Sequence, residues 1–224
     1  MTIVAKGDFI ELSYTGYVNG EVFDSNRDVD LKKLNPEAKP EKTPIIVGEG
    51  MVVRGLDKAL EGKSIGEEYS ISLQAKEAFG ARNPSLLKPI PLKLFGEKGV
   101  HPRPGMSFVL DNNLVQVRAV SGARVIVDFN NPLAGKDVSY AFRAVAKVDD
   151  ISEKTKTFFG RFLRAVPEFE VGEKVIIKGP AQMKPIVDIF GEKFKLLVGK
   201  ELGFVETAQS SKQPDSQEGI QQSL

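Results

Sequence analysis

Residues 11–25 read ELSYTGYVNGEVFDS, and this stretch decides how the N-terminal part of the chain folds. Asn19 and Gly20 stand between two runs that alternate apolar and polar residues. This pair favours a type I′ turn, because both central positions of that turn need a positive φ angle. The stretch therefore predicts a β-hairpin that brings Tyr14 close to Phe23 and Asp24. Aromatic side chains beside one carboxylate outline a binding site.

The composition excludes several kinds of site. The chain has 224 residues, 41% of them hydrophobic, and a net charge of +1, which is typical of a globular protein without a nucleic-acid partner. It has no cysteine and one histidine, His101, so disulfides, thiolate chemistry and multi-histidine metal sites are excluded. No apolar run reaches the ~18–20 residues of a membrane span, and residues 1–8 lack a secretory pattern. We expect a cytoplasmic protein without a metal or a cofactor.

Hydrophobic patterns predict the elements that follow the hairpin. Residues 27–42 are polar and contain prolines, which predicts a long loop with one helical turn. A short apolar strand is expected at residues 44–48, and a half-buried strand at residues 69–73. Between them, Leu56, Ala59 and Leu60 fall on one face of a short helix that Gly62 caps. Such a short helix must pack on a sheet to be stable.

The second half of the chain shows two further units. Residues 84–130 contain Pro89, Pro91, Pro102 and Pro104 in their first part and continue with three β-like runs at residues 106–110, 114–120 and 124–129, which predicts a small β-rich domain. Its own core is assigned to Val109, Val115, Val117, Val125 and Val127. A closing strand is expected at residues 138–148. Residues 150–207 predict a helix, a hairpin, a second helix and a last strand, and residues 208–224 are expected to be disordered.

The apolar residues of the two C-terminal helices are predicted to form one face each. In the first helix, which Ser152 is expected to cap, they are Phe158, Phe159, Phe162, Leu163 and Val166. In the second they are Ile186, Ile189, Phe190, Phe194 and Leu197. These faces could pack against each other or against a second copy, so a homodimer is a hypothesis.

Short motifs in a fixed order resemble the FKBP family of peptidyl-prolyl cis/trans isomerases. They are Tyr-Thr-Gly at residues 14–16, Phe-Asp-Ser at 23–25, Val-Val-Arg-Gly-Leu at 52–56, Leu-Glu-Gly at 60–62, Ile-Gly-Glu at 65–67 and Ala-Phe-Gly at 78–80. Residues 130–136, NNPLAGK, resemble a segment of the SlyD-like subgroup, with Asn131 in place of its histidine. The C-terminal unit resembles the extra domain of long archaeal members.

The resemblance implies an α+β fold in which an antiparallel sheet wraps around a short helix. It divides the chain into an FKBP-like domain at residues 1–83 and 131–149, an insert-in-flap domain at 84–130 and a C-terminal α+β domain at 150–207. It also implies a proline pocket. The pocket residues carried over by motif are Tyr14, Phe23, Asp24, Val52, Val53, Leu56, Phe79, Leu133 and Tyr140.

Further substrate contacts are expected at Ile45, Val47, Ala78 and Ala134. In the insert, where the family captures unfolded chains, Phe108, Leu110 and Leu114 are expected to contact an extended peptide. Leu56 stands where many members have tryptophan, and Phe79 stands where tyrosine is usual, so one hydroxyl donor is lost. The SlyD-like metal-binding tail is rich in histidine, whereas residues 208–224 contain neither histidine nor cysteine.

These observations predict a peptidyl-prolyl isomerase with chaperone activity, acting on unfolded or proline-containing polypeptides. A second reading is a holdase with weak isomerase activity, and a third is an interaction protein that uses its C-terminal unit. Without the ordered motifs, Tyr14 and Phe23 would be ordinary core residues and Asp24 an ordinary turn residue. His101, between prolines, is expected to be a solvated surface residue.

Overall fold

The computed structural model describes residues 2–97, 99–110 and 113–207. The predicted disorder of residues 208–224 therefore lies outside the described residues. The chain divides into two compact units between Val148 and Asp149. None of the helices within the described ranges is long and apolar enough to cross a membrane.

A five-stranded antiparallel sheet forms the main body of the first unit. Its strands are β1 (Phe9–Val18), β2 (Glu21–Ser25), β3 (Pro44–Ile46), β4 (Tyr69–Leu73) and β9 (Val138–Lys147). The order is β2-β1-β9-β4, and β3 pairs with the beginning of β1. Because β9 lies between β1 and β4, the closing strand joins residues that are far apart in sequence.

Two helices belong to this body, α1 (Asp28–Leu34) and α2 (Arg54–Leu60). The apolar face of α2 packs into the core through Leu56 and Leu60, as its spacing predicted. Gly55 lies so close to β4 that an added Cβ would be 2.4 Å from Leu73 Cδ2, so the helix can approach the strand only with glycine here. The predicted α+β class, with an antiparallel sheet around a short helix, is confirmed.

The α1 helix is longer than the single turn that the polar sequence predicted. Side chains in and next to this helix form tertiary contacts that the amino-acid composition of residues 27–42 does not predict. The Thr15 hydroxyl, fully buried, donates to Asp30 Oδ2 at 2.9 Å. Arg27, directly before α1, pairs with Glu68, directly before β4, at 2.6 Å. The α1 segment is therefore bound both to β1 and to the beginning of β4.

Residues 87–128 contain a separate four-stranded antiparallel sheet. Its strands are β5 (Leu87–Pro91), β6 (Ser107–Leu110), β7 (Asn113–Ser121) and β8 (Arg124–Asp128), in the order β5-β8-β7-β6, and α3 (Leu92–Gly96) follows β5. The sequence did not predict β5 or α3. Pro89 and Pro91 would disfavour a strand inside a sheet, but β5 lies at the edge, where an amide donor is needed on one side at most.

The second unit is an α+β arrangement with a three-stranded sheet. It contains α4 (Ile151–Leu163), β10 (Glu168–Val171), β11 (Val175–Gly179), α5 (Lys184–Val198) and β12 (Leu202–Glu206), and β12 runs parallel to β11. Asp150, not Ser152, caps α4, because its carboxylate accepts from the Glu153 amide at 2.8 Å. The helix ends at Leu163, so Val166 lies outside it and is half-exposed.

The predicted apolar face of α5 was wrong in part. Val187, Phe194 and Val198 are buried, whereas Ile189 is 76% exposed. The position of the partner aromatic rings explains the difference. Phe158 of α4 packs edge-to-face against Phe194 at 5.0 Å, which turns Val187 and Val198 inward and leaves Ile189 outside.

Candidate active site

The hairpin of β1 and β2 forms one wall of a cleft. Asn19 and Gly20 both have positive φ angles, +51° and +82°, as a type I′ turn requires. The turn brings the two strands into register, and the Tyr14 hydroxyl donates to Asp24 Oδ2 at 2.9 Å. The aromatic and acidic residues that the sequence placed together are therefore in contact.

Aromatic rings from three distant segments complete this wall. Phe23 of β2 packs edge-to-face against Phe79, which follows β4, with ring centres 5.6 Å apart. It packs in the same way against Tyr140 of β9 at 5.8 Å. The Tyr140 ring in turn lies 6.3 Å from that of Tyr14. Edge-to-face packing is the favoured geometry for aromatic pairs, so these contacts stabilise the arrangement of the rings along the wall.

Gly16 allows these rings to approach the backbone. A Cβ at this position would lie 2.7 Å from Phe23 Cζ and 2.9 Å from Tyr140 Cε1, closer than carbon atoms pack. Its φ is not in the left-handed region, so the constraint is space and not backbone conformation. The Tyr-Thr-Gly motif therefore includes a glycine that the aromatic wall requires.

A buried carboxylate braces the opposite wall. Asp57 of α2 is 6% exposed and accepts from the amides of Gly48 and Gly50 at 2.8 and 2.9 Å. The Met51 sulfur accepts from the Ile46 amide at 3.2 Å. These bonds hold the segment between β3 and α2, which carries Val52 and Val53 into the cleft.

Together these elements enclose a cleft of about 380 Å³. Most residues that line it belong to the predicted site: Tyr14, Asp24, Val52, Val53, Leu56, Phe79 and Tyr140. Phe23 lies behind them and supports the rings. Gly50 and Met51 also line the cleft and were not predicted, although Met51 directly precedes the Val52 motif.

Several predicted contacts do not line this cleft. Ile45 and Val47 are 2% and 0% exposed and belong to the core of the sheet, so their predicted role beside the substrate is corrected. Strands that alternate around a central helix turn such residues inward. Ala78, Leu133 and Ala134 are also absent from the lining, and Ala134 is buried.

The environment keeps both tyrosine hydroxyls protonated. Burial raises the pKa of Tyr140 to about 12, with a smaller contribution from the Asp24 charge. Burial also raises the pKa of Tyr14, and its hydrogen bond to Asp24 adds to the effect. Among the described residues, the Tyr140 hydroxyl has no hydrogen-bond partner. It is therefore a neutral donor available to a ligand in the cleft.

Comparison with protein families assigns the domain that contains most of this cleft. A family model described as FKBP-type peptidyl-prolyl cis-trans isomerase matches residues 2–93. The chain carries an FKBP-type isomerase domain. A second family model, described as FKBP26, IF domain, matches residues 88–133, the region of the separate sheet. The matched relatives of the FKBP domain are named as isomerases, so this domain belongs to an enzyme class.

Known relatives of the FKBP domain come from archaea and bacteria. The chain is 27% identical over 146 residues to a short-type peptidyl-prolyl cis-trans isomerase of Methanocaldococcus jannaschii, covering 64% of this chain and 93% of that protein. It is 33% identical to the SlyD isomerase of Haemophilus influenzae over 44% of this chain and 54% of that protein. The SlyD of Escherichia coli K12 is 31% identical over 44% and 52%. The chain thus spans about half the length of these SlyD relatives.

The IF domain carries an apolar groove of about 440 Å³. The five-residue helix α3 covers only part of the inner face of the four-stranded sheet. Phe95 of α3 packs edge-to-face on Phe108 of β6 at 5.7 Å, and this contact forms one side of the groove. The residues that line it are Ile90, Leu94, Phe95, Val100, Met106, Phe108, Val109 and Leu110.

Only some of the residues predicted to bind peptide in the insert line this groove. Phe108 and Leu110 line it, whereas Leu114 lies in a different, polar cleft. Val109 was assigned to the core but is 70% exposed, and it lies at the groove and not in the core. Val115, Val117, Val125 and Val127 form the buried core with Phe95.

Proposed function

We propose that the protein isomerises X–Pro bonds in unfolded or partly folded polypeptides and holds these chains while it does so. The observation that carries the proposal is the presence of two apolar sites in one compact unit. One is the aromatic cleft of the isomerase domain, and the other is the groove of the IF domain.

The cleft suits a reaction that needs no nucleophile. Rotation about an X–Pro bond has a barrier of ~18–20 kcal/mol, because the planar amide loses its resonance in the twisted transition state. The twisted amide is also less polar than the planar one. A cleft lined by Val52, Leu56 and Phe79 therefore favours the transition state over the ground state.

Two hydrogen-bond donors in the cleft can hold the substrate. The Val53 amide, at the beginning of α2, has no hydrogen-bond partner within the described part of the chain, and it can donate to a substrate carbonyl. The Tyr140 hydroxyl can donate to another. Asp24 accepts from Tyr14 and gives the cleft one polar edge.

The groove suits an extended apolar segment. The β6 strand is an edge of its sheet, so the backbone groups on its outer side can pair with an added strand while Phe108 and Leu110 contact the side chains of that strand. The other edge, β5, contains Pro89 and Pro91, which lack amide donors. Strand addition is thereby directed to β6.

A holdase with weak isomerase activity is the second candidate. The Phe79 ring provides no hydroxyl donor, and Leu56 provides a smaller cleft floor than an aromatic residue would. The groove would then carry most of the biological activity.

Paired variants separate the two candidates. Asp24→Ala removes the Tyr14 acceptor, and we expect turnover of a proline tetrapeptide to fall ~10-fold while suppression of aggregation is retained. Leu94→Asp places a charge in the groove, and we expect it to weaken suppression of aggregation while tetrapeptide turnover is retained. Val120→Asp is the matched control, since Val120 of β7 is an exposed apolar residue of the same sheet outside the groove. Full tetrapeptide activity in Asp24→Ala would refute the proposed isomerase site.

We also propose that the second unit forms a homodimer through α5. Ile186, Ile189 and Leu196 are exposed to 39, 76 and 83% and lie at helical spacing along one side of this helix. A second copy related by a two-fold axis would cover these apolar side chains.

A further inference from the structure

The two connections between the IF domain and the isomerase domain are joined by a buried carboxylate. Asp128, at the end of β8, is 2% exposed. Its Oδ2 accepts from Arg118 Nε at 3.0 Å and also pairs with Arg82. Arg118 lies in the insert, whereas Arg82 lies in the connection that leaves the isomerase domain. One carboxylate therefore links the insert to its own outgoing connection.

Asn130 extends this link to the returning connection. The other Asp128 oxygen, Oδ1, accepts from the Asn130 amide at 2.9 Å and from its side-chain Nδ2 at 2.8 Å. The Asn130 side chain then pairs with the Asn83 backbone. Its Oδ1 accepts from the Asn83 amide at 2.8 Å, and its Nδ2 donates to the Asn83 carbonyl at 3.0 Å.

The link continues toward the catalytic cleft. Gly135, after the returning connection, donates its amide to the Gly80 carbonyl at 2.8 Å. Gly80 directly follows Phe79, whose ring lines the cleft. Gly135 also lies beside Arg82, since a Cβ at Gly135 would be 3.7 Å from Arg82 Cβ. Neighbouring residues therefore lead from Asp128 through Arg82, Gly135 and Gly80 to Phe79 of the cleft.

A buried carboxylate is costly unless it is fully paired, so these partners indicate a specific role. Arg82 and Asn83 are not part of the apolar core of the insert. Two unlinked peptide connections would leave the insert free to swing, whereas the cross-link restricts it to one direction. Restricting the orientation of a captured chain raises its effective concentration at the cleft.

We infer that Asp128 is a positioning residue, which holds the IF domain so that a chain bound in the groove is presented to the proline cleft. This inference rests on the proposed function, because it requires capture in the groove. The role of Asp128 is to direct a captured chain to the cleft, so its loss should lower kcat for protein substrates. It should change neither the binding of the chain in the groove nor the isomerisation step in the cleft.

Asp128→Asn tests the role of the charge with little change in shape. The Oδ1 acceptor for Asn130 can remain, but the new NH₂ group faces the arginines and cannot accept from them. We expect kcat for proline-limited refolding of a protein substrate to fall ~5-fold, with KM and tetrapeptide turnover unchanged within about 2-fold. Arg124→Gln is the matched control, because Arg124 is an exposed arginine of β8 outside the cluster.

The distance between a spin label in the isomerase domain and one in the IF domain reports the orientation of the IF domain directly. The chain has no cysteine, so spin labels at Glu21→Cys and Arg103→Cys, both exposed, are unambiguous. We expect one narrow distance distribution in the otherwise unchanged protein and a broad one in Asp128→Asn. Arg82→Gln is the second variant. It removes the direct ion pair between Asp128 and the outgoing connection and leaves Arg118 on Asp128. We therefore expect the insert to stay folded and the distance distribution to broaden.

The outcomes distinguish this inference from the function on which it rests. If Leu94→Asp leaves the KM for protein substrates unchanged, capture in the groove is wrong and the proposed function fails. If Leu94→Asp raises that KM but Asp128→Asn and Arg82→Gln keep both kcat and the narrow distribution, only the positioning role is overturned.

Discussion

The Tyr140 hydroxyl is the clearest single-residue candidate for a substrate contact. Its ring is 3% exposed overall and packs against Phe23, while the hydroxyl faces the cleft without a partner in the described part of the chain. The usual donor at position 79 is missing, since Phe79 has no hydroxyl. Tyr140 can supply a donor to the same cleft from a different strand.

Replacing this hydroxyl should weaken catalysis moderately. A neutral hydrogen bond contributes about 1 kcal/mol, which corresponds to a ~5-fold lower kcat/KM for a proline tetrapeptide in Tyr140→Phe. Tyr17→Phe is the control, because Tyr17 lies on β1 outside the cleft. Equal kcat/KM in the two variants would assign Tyr140 a packing role alone.

The raised pKa of Tyr140 predicts activity at high pH. An unperturbed tyrosine is half ionised near pH ~10, whereas the pKa of Tyr140 is raised to about 12. The folded state therefore retains a proton that the unfolded state releases. The resulting stabilisation is present below pH ~10 and is lost as pH rises through about 12. Tetrapeptide turnover in a protease-free assay should be as fast at pH 10 as at pH 8, and a loss centred near pH 10 would contradict this.

At the scale of elements, the connection between β3 and α2 depends on one acidic side chain. Asp57→Ala leaves the amides of Gly48 and Gly50 without their acceptor. We expect a loss of about 2–4 kcal/mol in the free energy of unfolding, measured in urea, together with reduced tetrapeptide turnover because Met51 and Val53 shift. Glu61→Gln, exposed at the end of the same helix, should change neither quantity. An Asp57→Ala protein as stable as the wild type would refute the bracing role.

Elements also show where patterns in the sequence mislead. The α5 helix is apolar on more than one side, so periodicity could not decide which side is buried. The contact between Phe158 of α4 and Phe194 of α5 determines which side of α5 is buried, and Ile189 lies on the exposed side. The β5 strand was missed because its prolines are tolerated only at an edge, and edge position is a property of the assembled sheet.

At the scale of the whole molecule, the exposed face of α5 predicts self-association. The full chain should have the mass of a dimer in light scattering after gel filtration, and Ile189→Lys with Leu196→Lys should have that of a monomer, because lysine cannot be buried unpaired. Val171→Lys, at an exposed valine of β10, is the control. A wild-type protein that is monomeric at micromolar concentrations would refute the proposed dimer.

The sequence by itself determined the hairpin and most of the cleft. Asn19-Gly20 determines a turn through local backbone conformation. The short motifs at residues 52–56 and 78–80 predicted that Val52 and Phe79 would line the cleft. These signals act over a few residues, so they can be read without knowledge of the fold.

Only the tertiary structure decided which distant residues meet. Tyr140 reaches Phe23 because β9 lies beside β1, and Ile45 turns into the core because of its place in the sheet. The groove exists because α3 leaves part of a face uncovered, and Asp128 finds Arg82 because the two connections run side by side. Each of these outcomes depends on the packing partner, and a partner far away in the chain leaves no local pattern in the sequence.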